Sequence, residues 1–207
     1  MHSYAAPGGN VTGPALFNGM ELTTKRIEFL RDVAPNAKRL AWVWPQDFYE
    51  LPTLSGASND LRPAISLTSR ASGFDVTFFS SRAPSDVPVV LDAVAKSGAQ
   101  AIAGGVAGRP EPMTEFALRH RLPSAFPMRY FVEAGGLISY GPLEADVQRT
   151  MERAAVYVDR ILRGARAAEL AIEQPSRYEL ALNAKTAIGI GISLPRALML
   201  RADAVIS

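Results

Sequence analysis

The sequence has no cysteine among its 207 residues. This absence excludes disulfides, thiolate nucleophiles and thiolate metal sites together. Histidine is almost as scarce: His2 lies in an irregular start, and His120 is better explained as a cap at a helix C-terminus than as a catalytic base. Without a Ser-His-Asp arrangement, metal-ligand spacing or a close carboxylate pair, the sequence offers no chemistry for catalysis, and we expect neither a metal nor a cofactor.

Long apolar runs and clusters of like charge are also missing. No run approaches the roughly 20 residues that a membrane helix requires, and the start has neither the basic nor the apolar region of an export signal, so we expect no signal peptide in this chain. The 22 Lys and Arg nearly balance the 20 Asp and Glu, and the basic residues are scattered along the chain. We therefore expect no nucleic-acid partner.

What is present is the composition of a folded globular protein, with 48% hydrophobic and 20% charged residues. Short apolar runs alternate with segments of helical period, which is typical of a parallel sheet covered by helices on both faces. The predicted strands are residues 40–44, 74–79, 101–104, 124–128 and 137–140. The predicted helices are residues 59–72, a helix that Asp86 caps and Gly98 ends, and residues 111–120.

The pattern changes after residue 142. Residues 143–163 form one long predicted helix, whose apolar residues recur at spacings of three or four and predict a stripe that must cover something. The stripe comprises Val147, Met151, Ala154, Ala155, Val158 and Leu162. A strand at residues 178–182 and short helices at residues 184–188 and 195–202 are expected to follow.

Candidate ligand residues follow the predicted strands, because ligands of open parallel sheets bind outside the carboxyl ends of the strands. The glycine-rich loop at residues 104–109 has neither the dinucleotide nor the phosphate-loop spacing. Its Gly105 would let backbone amides approach a ligand closely, and Arg109 could form a bidentate pair with a carboxylate. A solvent-facing Arg109 on a tight turn is the simpler alternative.

Two further groups of residues extend this candidate site. Met128, Arg129 and Tyr130 could offer an apolar wall, a charge and a hydroxyl to an organic acid, or they could pack a short helix. Trp44 could form an aromatic wall with Phe48 and Tyr49, beside Asp47 for an amine, or it could belong to the core. The predicted site is therefore Trp44, Gly105, Arg109, Met128, Arg129 and Tyr130.

Several stretches taken in order resemble a known family. They are residues 7–13 (PGGNVTG), 131–141 (FVEAGGLISYG), 173–175 with 178–180, 184–187 and 200–206. Together they resemble the substrate-binding proteins of bacterial ABC importers, whose relatives include binders of aromatic amino acids. The resemblance implies a periplasmic-binding-protein type 1-like α/β fold, in which two lobes clamp a ligand between them.

The resemblance also implies how this chain is organised. Residues 1–13 would be a crossover from a missing first lobe, 14–141 the second lobe, 142–172 a helix returning to the missing lobe, and 173–207 a C-terminal strand and helices. The chain departs from the family between residues 45 and 59, where relatives usually carry an Asn-Pro loop. Because the partner of the helix at 143–163 would be absent, we expect this helix either to form a homodimer or to pack poorly on the lobe.

The function implied by the resemblance is that of an importer's binding component. It would bind a small organic solute, such as an amino acid, in the periplasm or another extracytoplasmic space, and deliver it to an ABC membrane permease. This chain would be a truncated form. Two alternatives stay open: an α/β enzyme, which a pocket with a perturbed acid or base would favour, and a ligand-sensing module, which a fused signalling segment would favour.

Overall fold

The computed structural model describes residues 3–15, 20–46, 60–106 and 108–207. These residues build one seven-stranded sheet in the order β2-β1-β3-β4-β5-β6-β7. The strands are β1 (Arg39–Pro45), β2 (Asp75–Ser81), β3 (Ala101–Gly104), β4 (Ser124–Phe126), β5 (Ile138–Pro142), β6 (Tyr178–Asn183) and β7 (Ala204–Ile206). Only the β5–β6 pair among them is antiparallel. The predicted α/β class is thereby confirmed.

Helices connect the strands. They are α1 (Met20–Val33), α2 (Arg62–Ala71), α3 (Val87–Lys96), α4 (Glu111–Arg119), α5 (Arg129–Glu133), α6 (Glu144–Leu162), α7 (Ala184–Ile190) and α8 (Arg196–Met199), with short 3-10 turns at Pro84–Asp86 and Ala167–Glu169. Pro63 lies in the first turn of α2, where a backbone N–H would have had no acceptor within the helix. No helix in the described ranges is both long and apolar enough to cross a membrane.

The sheet lies between two layers of helices, and apolar side chains pack on both of its faces. The predicted helices on both faces are therefore confirmed. One layer packs α1 and α2 residues such as Leu30 and Ile65 against Trp42, Ala103 and Leu182. The other packs α3, α4 and α5 against Val43, Ile102 and Phe126. Neighbouring residues of β1 enter opposite layers, since side chains alternate along a strand, and every residue of the run 40–44 is buried.

Several local predictions were wrong. Strand β4 stops at Phe126 rather than 128, because Met128 is the first residue of a turn into α5. Asp86 does occupy the N-cap position of α3, but its side chain makes no capping bond to that helix. Its carboxylate instead accepts the backbone N–H groups of Arg82 and Ala83, at 3.0 and 3.1 Å, and so stabilises the preceding 3-10 turn. The prediction also lacked α1 and β7 altogether.

The segment before α1 runs beside the segment after α6. Ala15 N donates to Glu173 O at 2.8 Å, Thr12 Oγ1 to Leu170 O at 2.6 Å, and Gly8 N to Ala168 O at 3.1 Å. Helix α6 itself has few buried side chains, namely Asp146, Thr150 and Tyr157. Its predicted apolar stripe is largely exposed, and Leu162 keeps 81% of its surface. In the single chain this helix therefore presents its stripe to solvent, and whether a homodimer covers the stripe stays a prediction.

Candidate functional site

The carboxyl ends of β1, β3, β4 and β5 meet at one edge of the sheet, which we call the carboxyl edge. Parallel register places Val43 beside Gly104 and Phe126 beside Ser139. Gly105 N donates to Val43 O at 2.8 Å. Gly104 adopts φ +107°, and a Cβ there would collide with the Val43 carbonyl oxygen, so this approach of β3 to β1 requires glycine.

A second glycine contact brings β5 to the turn after β4. A Cβ on Gly141 would collide with the carbonyl oxygen of Pro127. A Cβ on Gly105 would meet Pro127 and the ring of Phe131 at 3.4 to 3.8 Å, which is ordinary packing distance. Gly105 is thus a buried residue at this edge, and its backbone N–H is already bonded to the Val43 carbonyl oxygen.

Arg109 stands at this edge with most of its surface in solvent. Its side chain is 84% exposed, and its Nη2 and Nε bond to the carboxylate of Glu111 at 2.9 and 3.3 Å. This bonding lowers the pKa of Glu111 and raises the pKa of Arg109. The guanidinium therefore already has a carboxylate partner from the next helix.

Arg129 is also paired within the chain. Its Nε donates to Glu133 at 2.9 Å, and its Nη1 lies 3.5 Å from the buried carboxylate of Glu179 on β6. Burial raises the pKa of Glu179, an effect that the charge of Arg129 opposes. Arg129 accordingly ties α5 to β6, in addition to lying at the carboxyl edge.

The apolar members of the predicted site lie in different layers. Trp44 is 6% exposed and stacks on Trp42 with ring centroids 5.5 Å apart, in the layer of α1 and α2. Met128 packs against the opposite layer, and the half-exposed Tyr130 stacks on Phe131 at 4.8 Å. The backbones of these residues therefore lie at one edge of the sheet, but the side chains of Trp44 and Met128 lie on opposite faces of it. Phe48, Tyr49 and Asp47 lie outside the described residues.

A groove that the sequence did not indicate lies along α1 at the same edge. This α1 groove has a volume of about 490 Å³ and is lined by Met20, Glu21, Leu22, Thr24, Lys25, Glu28, Tyr140 and Tyr178. Tyr140 comes from β5, and Tyr178 pairs with Pro142 at the carboxyl end of that strand. The two tyrosine rings are 6.4 Å apart. Only a prediction of α1 and of the β5–β6 pairing together would have revealed this groove.

The fold defines a class of protein: an α/β lobe of the periplasmic-binding type, whose parallel strands end together at the carboxyl edge. The profile of the family described as ABC transporter substrate binding protein matches residues 1–206. The chain therefore belongs to that family, as its sequence stretches indicated. Comparison with curated proteins found no match.

Solved structures share the fold. A conserved domain protein from Vibrio cholerae O1 biovar El Tor is 22% identical with a TM-score of 0.78, and 99% of this chain aligns with 65% of that one. An ABC domain from Streptococcus pneumoniae, solved in complex with L-Trp, is 20% identical with a TM-score of 0.77, covering 100% of this chain and 68% of that one. A substrate-binding protein with adhesive properties from Clostridium difficile, CD0873, is 16% identical with a TM-score of 0.62, covering 100% and 66%. The chain thus spans about two thirds of the length of these proteins.

Proposed function

We propose that this chain is the ligand-binding second lobe, with its crossover segments, of the solute-binding component of a bacterial ABC importer. The observation that carries the proposal is the family match over residues 1–206. The ligand would be a small organic solute such as an amino acid, which the lobe would hold outside the cytoplasm and pass to a membrane permease. The pneumococcal relative with L-Trp supports this class of ligand.

The proposed half-site is the carboxyl edge, with Trp44, Gly105, Arg109, Met128, Arg129 and Tyr130 and the α1 groove. The remaining contacts would come from a first lobe. The chain's span of about two thirds of its structural relatives supports this division, as does the pairing of residues 3–15 with the segment after α6. The exposed stripe on α6 would then be the surface that the first lobe covers.

Thermal unfolding in the presence of candidate solutes tests this function. The panel contains the L-amino acids and small carboxylic acids at millimolar concentration, because a half-site is expected to bind weakly. A ligand present at ten times its Kd stabilises a protein by about 1.4 kcal/mol, so a true ligand should raise the Tm by a few degrees. No stabilisation by any compound would contradict the proposal, and chemical conversion of a compound would favour an enzyme instead.

A further inference from the structure

The α1 groove contains a carboxylate that has no counterion among the described residues. Glu21, Lys25 and Glu28 all line the groove from α1, because residues three or four apart share one face of a helix. Lys25 Nζ bonds to Glu28 Oε2 at 2.7 Å, so these two charges neutralise each other. Glu21 makes no hydrogen bond or ion pair with any residue that the structure describes. The three side chains together leave one uncompensated negative charge.

The dipole of α1 reduces this charge but does not cancel it. Glu21 lies in the first turn of the helix. The aligned peptide dipoles amount to about half a positive charge at a helix N-terminus, which is less than the full negative charge of a carboxylate. The groove therefore remains negative.

Two aromatic rings form the other side of the groove, and contacts within the chain hold both in place. Tyr140 on β5 and Tyr178 on β6 are diagonal neighbours across the antiparallel pair, so both side chains lie on one face of the sheet. The hydroxyl of Tyr178 donates to Pro175 O at 2.7 Å, and the Tyr140 ring meets that of Phe29 edge-on, with centroids 5.3 Å apart. Both tyrosines are half-buried. The aromatic wall is thus formed before any ligand arrives, which reduces the entropy that binding costs.

The unpaired carboxylate is close enough to act on this wall. The pKa of Tyr178 is raised by its burial, by the neighbouring Tyr140 and by the negative charge of Glu21, in that order. A positive group in the groove would be attracted by the carboxylate and by the electron-rich faces of the rings together. A negative group would be repelled by both.

The arginines of the predicted site offer no comparable attraction for an anion. Arg109 is bonded to Glu111, and Arg129 to Glu133 and Glu179, so an incoming anion would have to compete with carboxylates of the chain. The charge balance at these positions therefore favours a cation in the groove over an anion beside the arginines.

We propose that the α1 groove binds the cationic group of an organic solute, held by the carboxylate of Glu21 and the rings of Tyr140 and Tyr178. The volume of about 490 Å³ is within the range of small-molecule sites. The ligand class is an amine or a quaternary ammonium compound without a carboxylate next to its positive charge, because Glu21 would repel that carboxylate. The assignment rests on the proposed solute-binding function and narrows its solute to an organic cation.

Binding of matched compounds to the full chain tests the assignment by calorimetry. Choline is compared with 3,3-dimethylbutan-1-ol, in which carbon replaces the positive nitrogen, and phenethylamine with 2-phenylethanol. L-Phenylalanine adds a carboxylate to phenethylamine and tests the exclusion of amino acids.

Two pairs of variants separate charge from ring. Glu21→Gln removes the charge at nearly constant size, and Glu115→Gln does the same at an exposed position of α4. Tyr140→Leu removes the ring, whereas Tyr140→Phe keeps it and removes only the hydroxyl. Thermal unfolding without ligand shows whether each variant folds.

The wild type should bind choline or phenethylamine about tenfold more tightly than the neutral partner. Glu21→Gln should reduce this preference to about threefold or less, and Glu115→Gln should keep it. Tyr140→Leu should weaken binding of the cation, whereas Tyr140→Phe should bind it as the wild type does, because the ring face provides the attraction. If Glu21→Gln does not fold, the comparison of Tyr140→Leu with Tyr140→Phe decides.

Equal affinity for a cation and its neutral partner would overturn the assignment, as would a preference that persists in Glu21→Gln. A Tyr140→Phe variant that loses the cation as fully as Tyr140→Leu would also overturn it. Tighter binding of L-phenylalanine than of phenethylamine would overturn the cation class while leaving the solute-binding function intact. The same holds if no cation binds but another solute raises the Tm. Stabilisation by none of these compounds would count against both.

Discussion

At the scale of single residues, glycines determine how closely the strands approach at the carboxyl edge. Gly104 and Gly141 are each placed so that a Cβ would overlap a carbonyl oxygen of the adjacent chain segment. A backbone contact of this kind cannot be relieved by turning a side chain. The edge therefore depends on residues that have no side chain of their own.

Gly141→Ala is expected to lower the free energy of unfolding by about 1 to 3 kcal/mol, because Pro127 and β5 must move apart. Urea unfolding should show a lower midpoint with an unchanged slope. Gly9→Ala is the matched control, since a Cβ there meets nothing within 4 Å. Equal midpoints for the two variants would show that β5 can move away from Pro127 without a loss of stability.

At the scale of elements, α6 is attached by polar contacts more than by apolar packing. Asp146 in its first turn accepts bonds from Arg177, at 2.5 Å from Nη2 and 3.2 Å from Nε, and Arg177 immediately precedes β6. Farther along, Arg153 pairs with Glu173, and the Tyr157 hydroxyl donates to Ala171 O. These contacts fix one side of the helix and leave its aliphatic stripe in solvent.

The contact between Asp146 and Arg177 should make the free energy of unfolding depend on pH in the acidic range. The bonds from Arg177 lower the pKa of Asp146. The ion pair therefore stabilises the fold fully above the ordinary carboxyl pKa, and this stabilisation is lost as the pH falls through the lowered pKa. Unfolding measured against pH should show the wild type more stable than Asp146→Asn near neutrality, with the difference vanishing in acid. Asp159→Asn, which breaks an exposed pair with Arg163, should change stability little at any pH. A pH-independent difference for Asp146→Asn would rule out the ion pair as the cause.

At the scale of the whole molecule, the exposed stripe of α6 makes this chain prone to association. Met151, Val158 and Leu162 are all exposed on α6. Removing an aliphatic side chain of this size from water is worth about 1.5 to 3 kcal/mol, so covering the three together provides a substantial drive to association.

We expect the chain to form a dimer through α6, and the triple substitution of Met151, Val158 and Leu162 by Gln to shift it to a monomer. Light scattering over a range of concentrations measures both. The control replaces Leu67, Val89 and Ile188, which are exposed singly on three other helices, and should leave the dimer intact. Dissociation by the control set, or a wild type that stays monomeric, would remove α6 as the interface.

The sequence by itself determined the α/β class, most of the strands and the family, because buried runs and helical periods are local patterns and the family stretches keep their order. It also placed Gly105, Arg109 and Arg129 after strand ends. It did not reveal which charges are already neutralised: Glu179, the buried partner of Arg129, lies 50 residues away along the chain. It likewise gave no sign that Trp44 is enclosed, or that α1, β5 and β6 form a groove. Burial, pairing and cavities depend on contacts between distant segments, and only the tertiary structure decides which segments meet.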